Sequence, residues 1–480
     1  MRSRARVLAL VAGIAVGFVG PVVAVAEPYR ITVSAKDFDD YLARSLNSTG
    51  LPGLSAVITR HRDIVHAAGY GRDATGASIT ARTPMRIASL TKAFTATAVM
   101  MLVEDGAIEL DRPVREQLPG FRTADARADR ITVRQLLNQT SGFADRTVDI
   151  RASESADSLE HYTATLRTAR LAAEPGTRWA YTNVNYNLAA RLVEVASGQD
   201  FGEFLRQRIF GPLGMPDSTL GDDTITPTDG FNSLFGHWTA RAELRGFLDD
   251  SGSGGVVTSA ADLGRWLIAQ SGTGPQLVSA DSLALMHAPT PVRDYGMGWG
   301  LDTEHGAPLL THSGNLFTYT SAAALDPTTG YGFAVMTNSA ALHDDTYAIL
   351  TGLVALGRGE RPGPLVDARL RIEAGLAVVM AGALGLGLAG VVRSRRWAAR
   401  VVAGRWWWIA LRCVPAAVPI VLFAACPAAI SALMNGRTVT WAQLTYFPAP
   451  LTTALLTCAL AGAATLSARL SRLRSLSSGR

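Results

Sequence analysis

Cysteine is nearly missing from this chain of 480 residues: Cys413, Cys426 and Cys458 all fall in the apolar C-terminal stretch, and none lies between residues 27 and 412. That excludes a disulfide framework and a thiolate metal site for most of the sequence, and leaves the compartment to be read from the termini. Lysine is scarcer still, since Lys36 and Lys92 are the only two among 45 basic residues. No Gly-x-Ser-x-Gly elbow, His-Glu-x-x-His pair or phosphate loop occurs, so neither a metal nor a cofactor is implied. His61 and His66 read as surface residues, and the acidic pairs Asp222-Asp223, Asp249-Asp250 and Asp344-Asp345 as solvated loops.

Charge is also thin, at 18% against 48% hydrophobic residues, which excludes extensive disorder and suggests membrane-embedded chain. The net charge of +5 hides an asymmetry. Residues 371–480 carry twelve Arg against the single acid Glu373, and residues 1–26 carry Arg2, Arg4 and Arg6; with +14 at the two ends, residues 27–370 hold −9. The basic residues flank apolar runs while the large middle part is acidic, which argues against nucleic-acid binding.

Arg2, Arg4 and Arg6 precede the apolar run Val7–Val23, and Ala24-Val25-Ala26 supplies the small residues a signal peptidase reads. The pattern predicts a signal peptide over 1–26; a run of this length also fits an uncleaved anchor, and both export the chain downstream of it. Three further apolar stretches, about 374–392, 413–434 and 444–466, are each long enough to cross ~30 Å of hydrocarbon. Arg393, Arg395, Arg396, Arg400 and Arg405 follow the first and Arg469, Arg472, Arg474 and Arg480 the third, whereas the loop between the second and third has one charge, Arg437. The positive-inside rule then places residues 27–360 outside the cytoplasmic membrane, with 361–370 as a Pro/Gly linker and 371–480 as a multi-pass membrane domain. Trp406-Trp407-Trp408 suits an interfacial belt, and Pro415, Pro419 and Pro427 in the second span are ordinary for membrane helices. The region reads chiefly as an anchor.

The exported part reads as α/β. Leu54–Thr59 and Asp63–Tyr70 form a hairpin pattern near one end, and Thr318–Leu325 and Tyr331–Thr337 form another around Asp326-Pro327-Thr328-Thr329-Gly330 near the other. Between them the periodicity is helical over Ala88–Asp105, Thr132–Asn138, Asn187–Ala196, Phe201–Ile209 and Ala260–Gln270, the last opened by a capping-box pattern, Ser259 with Asp262.

In a chain that uses Arg almost everywhere, Lys92 needs a chemical reason. A guanidinium keeps its proton, whereas a desolvated ammonium can lose it and act as a base. Lys92 follows Ser89 by three residues, which on a helix puts both side chains on one face, and Ser89 falls in the first turn, where unpaired N–H groups can stabilise an oxyanion. Leu90, Phe94, Ala98, Met101 and Leu102 would bury that helix and dry the lysine.

Tyr181-Thr182-Asn183 and then Thr311-His312-Ser313-Gly314-Asn315 follow in order, with supporting stretches at Thr83–Ala88, Ile131–Gly142, Ser253–Ser259 and Tyr295–Gly300. Together these resemble the serine β-lactamase and penicillin-binding peptidase superfamily, and most its branch of class C β-lactamases, D-alanyl-D-alanine carboxypeptidases and family VIII esterases. The resemblance spans about Phe38 to Leu356. It implies a β-lactamase/transpeptidase-like α/β domain, an antiparallel sheet flanked by helices plus an all-helical subdomain, followed here by the three transmembrane helices. It further implies that Ser89 is acylated while Lys92 and Tyr181 share the proton work, either of them being the base. Asn183 would bind the substrate amide, His312, Ser313 and Gly314 would line the opposite wall, and the N–H groups of Ser89 and Asn315 would hold the oxyanion. Many members have Lys-Thr-Gly where this chain has His312-Ser313-Gly314, so docking of a substrate carboxylate is expected to be weaker and to titrate near pH 6.5.

The expected function is a membrane-anchored, extracytoplasmic serine hydrolase that acts through an acyl-enzyme on peptide, ester or β-lactam carbonyls, carboxypeptidase-like or esterase-like on cell-wall material. A β-lactamase, or a penicillin or cell-wall sensor that keeps its acyl group and signals through a membrane protein partner, is the alternative. The expected partners are that substrate and the lipid bilayer, with no nucleic acid.

Overall fold

The computed structural model describes residues 33–220, 224–244, 246, 251–303, 306–433 and 437–477. The expected signal over 1–26 and the pairs Asp222-Asp223 and Asp249-Asp250 lie outside the described residues.

The eleven strands among the described residues are β1 (Gly53–Arg60), β2 (Asp63–Gly71), β3 (Met85–Arg86), β4 (Gly230–Leu234), β5 (His237–Arg241), β6 (Val257–Thr258), β7 (Gly300–Asp302), β8 (Leu309–Asn315), β9 (Thr320–Asp326), β10 (Tyr331–Thr337) and β11 (Ser339–Ala340). Six of them form an antiparallel sheet in the order β2-β1-β10-β9-β8-β7; the rest make the small sheets β11-β4-β5 and β3-β6. The two ends of the domain meet where β1 pairs β10, from Leu54 opposite Thr337 to Arg60 opposite Tyr331. Strands buried on both faces read as largely apolar runs, and β9 and β10 are buried throughout, with Thr320, Ser321, Asp326 and Thr337 as their buried polar residues near the strand ends.

Alternation along these strands sorts two cores. Leu54, Ala56, Ile58, Ala322, Ala324, Phe333 and Val335 face helices Ala35–Thr49 and Asp345–Gly357, through Phe38, Leu42, Ile349, Leu350 and Leu353. Val57, Ala323, Leu325, Ala334 and Met336 face the larger core with helices Thr91–Glu104 and Ala260–Gln270. Helix Thr91–Glu104 is buried on nearly all sides, as its almost unbroken apolar sequence requires, and Phe94 stacks on Trp266 with ring centroids 3.7 Å apart.

Most expected elements fall where their caps stand. Ser259 accepts from Asp262 N and opens Ala260–Gln270; its partner carboxylate does not reach back, because Asp262 Oδ2 accepts from Asp217 N and Ser218 Oγ instead. The helix expected from Asn187 begins at Asn183, a turn earlier, because Thr182 caps it, and it stops at Gly198 with φ 69°. Two surface expectations are corrected. His66 is mostly covered, 3.1 Å from Tyr70 Oη and 3.6 Å from Asp39. Asp345 is buried behind the cap residue Asp344, and burial pushes its carboxyl up to about 6.

Three helices among the described residues are long and apolar enough to cross a membrane: Ala368–Val392, Trp406–Ala424 and Ala449–Ser477. The first starts before residue 374, because Asp367 caps it. The second spans 406–424 instead of 413–434; the chain breaks at Ala425 and resumes as Cys426–Leu433, with Pro427, which has no N–H to donate, in the new first turn. The third runs past residue 466 through Arg469, Arg472 and Arg474. Small residues bring these helices together: a Cβ at Gly387 would stand 2.8 Å from Ala461 Cβ, and one at Gly462 2.3 Å from the Ala416 carbonyl. The first helix is also tied to the hairpin of β4 and β5. Glu373 accepts from Gly236 N at 2.6 Å, Arg369 donates to Ser233 Oγ at 2.7 Å, and the Arg369 guanidinium lies 4.6 Å from the Trp238 ring.

Candidate active site

A single turn, Ala88–Leu90, carries Ser89 into the start of helix Thr91–Glu104. Ala88 has φ +49°, a conformation L residues rarely adopt, so the turn is held from outside. β8 does the holding: a Cβ at Gly314 would lie 2.3 Å from the Ile87 carbonyl and 2.4 Å from Ser321 Oγ, and Ser321 Oγ itself donates to that carbonyl at 2.7 Å. Only glycine at 314 lets the strand come so near the serine.

Lys92 is fully buried. Its Nζ lies 3.0 Å from Ser89 Oγ, 3.0 Å from Asn183 Oδ1 and 2.7 Å from the Ser253 carbonyl. Two of these neighbours can only accept. A neutral amine has two N–H groups for Asn183 and Ser253, which leaves its lone pair facing the Ser89 hydroxyl. Burial, helped by the positive charge of Arg437 and opposed by Asp145, holds the Lys92 ammonium well below its usual range, which eases loss of its proton. The Tyr181 ring centroid is 4.9 Å from Nζ. Burial pushes the Tyr181 phenol up, against the pull of its hydrogen bond to Ser89.

Tyr181-Thr182-Asn183 is set by the segment Asn138–Gly142. Gln139 Oε1 accepts from Thr182 N at 3.2 Å and from Asn185 Nδ2 at 2.6 Å, while Ser141 Oγ donates to Asn185 Oδ1 at 2.6 Å. Thr182 Oγ1 donates to the buried carboxylate of Asp145 at 2.7 Å.

On the opposite wall, His312 is buried on β8. Its Nδ1 is 2.8 Å from the Ser313 carbonyl and must carry the proton, so Nε2 accepts from Tyr295 Oη at 3.2 Å. Burial above all drives the imidazolium down to about 3. The expected titration of His312 near pH 6.5 is therefore overturned; the ring stays neutral through the physiological range. Ser313 and Asn315 are exposed along the strand and line the cleft with Ser89.

All eight residues singled out in the sequence meet around this cleft, a cavity of about 830 Å³ lined directly by Ser89, Tyr181, Asn183, His312, Ser313 and Asn315; Lys92 and Gly314 stand behind Ser89. The sequence reading missed an aromatic wall, Trp179 and Tyr295, 5.9 Å apart, and the pair formed by Asp145 and Arg437, with Nε 3.0 Å from Oδ2. Tyr295 stood in a noted stretch, and Arg437 was the lone charge of its loop.

The Beta-lactamase family profile matches residues 38–355. Protein flp of Staphylococcus aureus (strain MW2) is 26% identical over 316 residues, which cover 64% of this chain and 63% of that protein, so the match spans less than two thirds of that relative. Penicillin-binding protein 4 of Amycolatopsis lactamdurans is 31% identical over 315 residues, 60% of this chain and 81% of that one. The solved structure of the octameric penicillin-binding protein homologue from Pyrococcus abyssi superposes with a TM-score of 0.61 at 26% identity, over 71% of this chain and 82% of that one.

Proposed function

The chain belongs to the Beta-lactamase family of serine hydrolases, and on that premise we propose that it is a membrane-anchored enzyme whose catalytic domain faces outward and opens peptide, ester or β-lactam carbonyls of cell-wall material through an acyl-enzyme at Ser89. The observation that carries the reading is the buried Lys92 Nζ 3.0 Å from Ser89 Oγ, with two acceptors, Asn183 Oδ1 and the Ser253 carbonyl, to take its N–H groups. In acylation the Ser89 hydroxyl gives its proton to Lys92 Nζ as Oγ bonds to the carbonyl carbon. The N–H groups of Ser89 and Asn315 take the oxyanion, and collapse expels the leaving group, which is protonated from Lys92 through the Tyr181 hydroxyl. Water then reverses the sequence and releases the acid. Tyr181 suits relay better than proton abstraction, because burial favours its neutral form.

In this reading Asn183, beside the nucleophile, binds the substrate amide, and exposed Ser313 lines the far wall. The similarity to Penicillin-binding protein 4 supports a penicillin-type β-lactam as a ligand of this site. The arginine distribution supports outward orientation, and the contact of the loop between the second and third helices with Asp145 fits two crossings between domain and loop, which put both on one side of the bilayer.

The test mixes the full chain in detergent with a penicillin and follows intact mass from seconds to hours beside Ser89→Ala. An adduct confined to the wild type is expected. A transient adduct with antibiotic consumed means a β-lactamase, a lasting one a peptidase or sensor. Hydrolysis that survives in Ser89→Ala would sink the assignment.

A further inference from the structure

The loop joining the second and third membrane helices does not hang free. Arg437, Thr438, Val439, Leu444, Phe447 and Pro448 line the same cavity as Ser89 and Ser313. Three contacts pin the loop around the rim. Arg437 Nε is 3.0 Å from Asp145 Oδ2; Gln443 Nε2 donates to Glu154 Oε1 at 3.1 Å; Tyr446 lies between the Arg241 guanidinium, 3.8 Å from its ring centroid, and Phe317 at 5.6 Å.

Asp145 ties this loop to the catalytic stretch. Its carboxylate is buried, with Oδ1 taken by Thr182, the residue between Tyr181 and Asn183, and Oδ2 by Arg437. A buried carboxylate keeps its place only while its charge is matched; without the match it must take up a proton or pull toward water, and either change disturbs the groups it holds. The Arg437 guanidinium also lies 5.5 Å from the Tyr181 ring centroid. We propose that the membrane region completes the active site: Arg437, delivered by the exported loop, is a positioning residue that fixes Asp145 and through it Tyr181-Thr182-Asn183, and the loop roofs the cleft. This rests on the assignment of Ser89 as nucleophile and Lys92 as its base.

The arrangement has a second consequence, on protons. The groups facing Lys92 are Ser89, Tyr181, Asn183, Tyr186, Ser253 and His312, with Asp145 and Arg437 behind them. Of these, Arg437 is the fixed cation, and after burial its charge is the next influence that lowers the Lys92 ammonium. Loss of that charge alone should let Lys92 hold its proton to higher pH.

The experiment compares the full-length wild type, Arg437→Ala, Arg437→Lys and the double variant Arg437→Ala/Asp145→Asn in detergent, measuring acylation of Ser89 by a penicillin and by a phenyl ester from pH 5 to 10. Arg437→Ala is expected to lose about 10–100-fold in kcat/KM, the size of a small misplacement of reacting groups, and to move the alkaline-rising limb to higher pH. Arg437→Lys should recover most of both. Asp145→Asn in the alanine background should restore thermal stability without restoring the rate. A wild-type pH limb and rate in Arg437→Ala, or a loss the double variant repairs completely, overturns the proposal. Hydrogen exchange of the segments 143–147 and 181–184 decides docking without chemistry: faster exchange in Arg437→Ala is required, and unchanged exchange overturns it. If Ser89 takes no acyl group in the wild type, the proposed function falls, while exchange still decides the loop.

Discussion

Lys92→Arg isolates proton abstraction from every other job of the residue. Arginine can still donate to Asn183 Oδ1 and to the Ser253 carbonyl, the two acceptors now met by the amine, but a guanidinium has five donors, no acceptor and no accessible neutral form. It therefore cannot take the Ser89 proton. General-base help at hydrogen-bond distance is worth about 10²–10⁴ in rate, and the Ser89–Lys92 separation of 3.0 Å meets that distance. At ~1.4 kcal/mol per decade this is about 3–5 kcal/mol of barrier. The assay is rapid-mixing acylation by a fluorescent penicillin, followed by intact mass, from pH 6 to 10.5. Wild-type acylation should rise with pH and level off well before 10.5, because burial lowers the Lys92 value; the variant should be slow and flat. The larger side chain costs some stability, about 1–3 kcal/mol for overpacking, so thermal melting must accompany the kinetics. Acylation of folded Lys92→Arg within tenfold of wild type, or a wild-type limb centred at 10.5, refutes the base assignment.

His312→Gln should leave the shape of the rate profile between pH 5 and 8 unchanged, since the ring is neutral down to about 3. Unfolded chains bind that proton from pH 6.5 downward and the folded one does not, so wild-type stability should fall, relative to the variant, by ~1.4 kcal/mol per pH unit below 6.5; urea melts at pH 7 and pH 5 check the sign. Gly314→Ala sets a Cβ 2.3 Å from the Ile87 carbonyl and should cost about 1–3 kcal/mol in melts along with most acylation. Thr182→Val removes a helix cap and one partner of Asp145; a loss of about 1–3 kcal/mol in urea melts, with Ser89 still acylated more slowly, is expected.

How much could be read from the sequence depended on how local each signal is. Helix Ala260–Gln270 was legible to the residue because Ser259 caps it, and Ser89 with Lys92 because i and i+3 share a helix face. The start of Asn183–Ser197 was misplaced because its cap, Thr182, lies inside the proposed catalytic stretch. His312 kept its expected position but not its expected titration, since burial and the Tyr295 hydroxyl arrive from other elements. The partnership of Arg437 with Asp145 joins positions 292 apart and leaves no periodic trace. A lone charge in an otherwise neutral loop was its one outward sign.

The close packing of the third membrane helix, with Gly462 against Ala416 and Gly387 against Ala461, has a mechanical meaning. The helices that end at the roof of the cleft cannot slide independently, and the first is clamped to the catalytic domain through Arg369 and Glu373. If these helices span a bilayer as proposed, a mismatch between its thickness and their apolar length is expected to tilt the bundle as a unit. On the proposed anchoring, such a tilt is expected to act on the far side of the cleft and to make turnover depend on the acyl-chain length of the surrounding lipid.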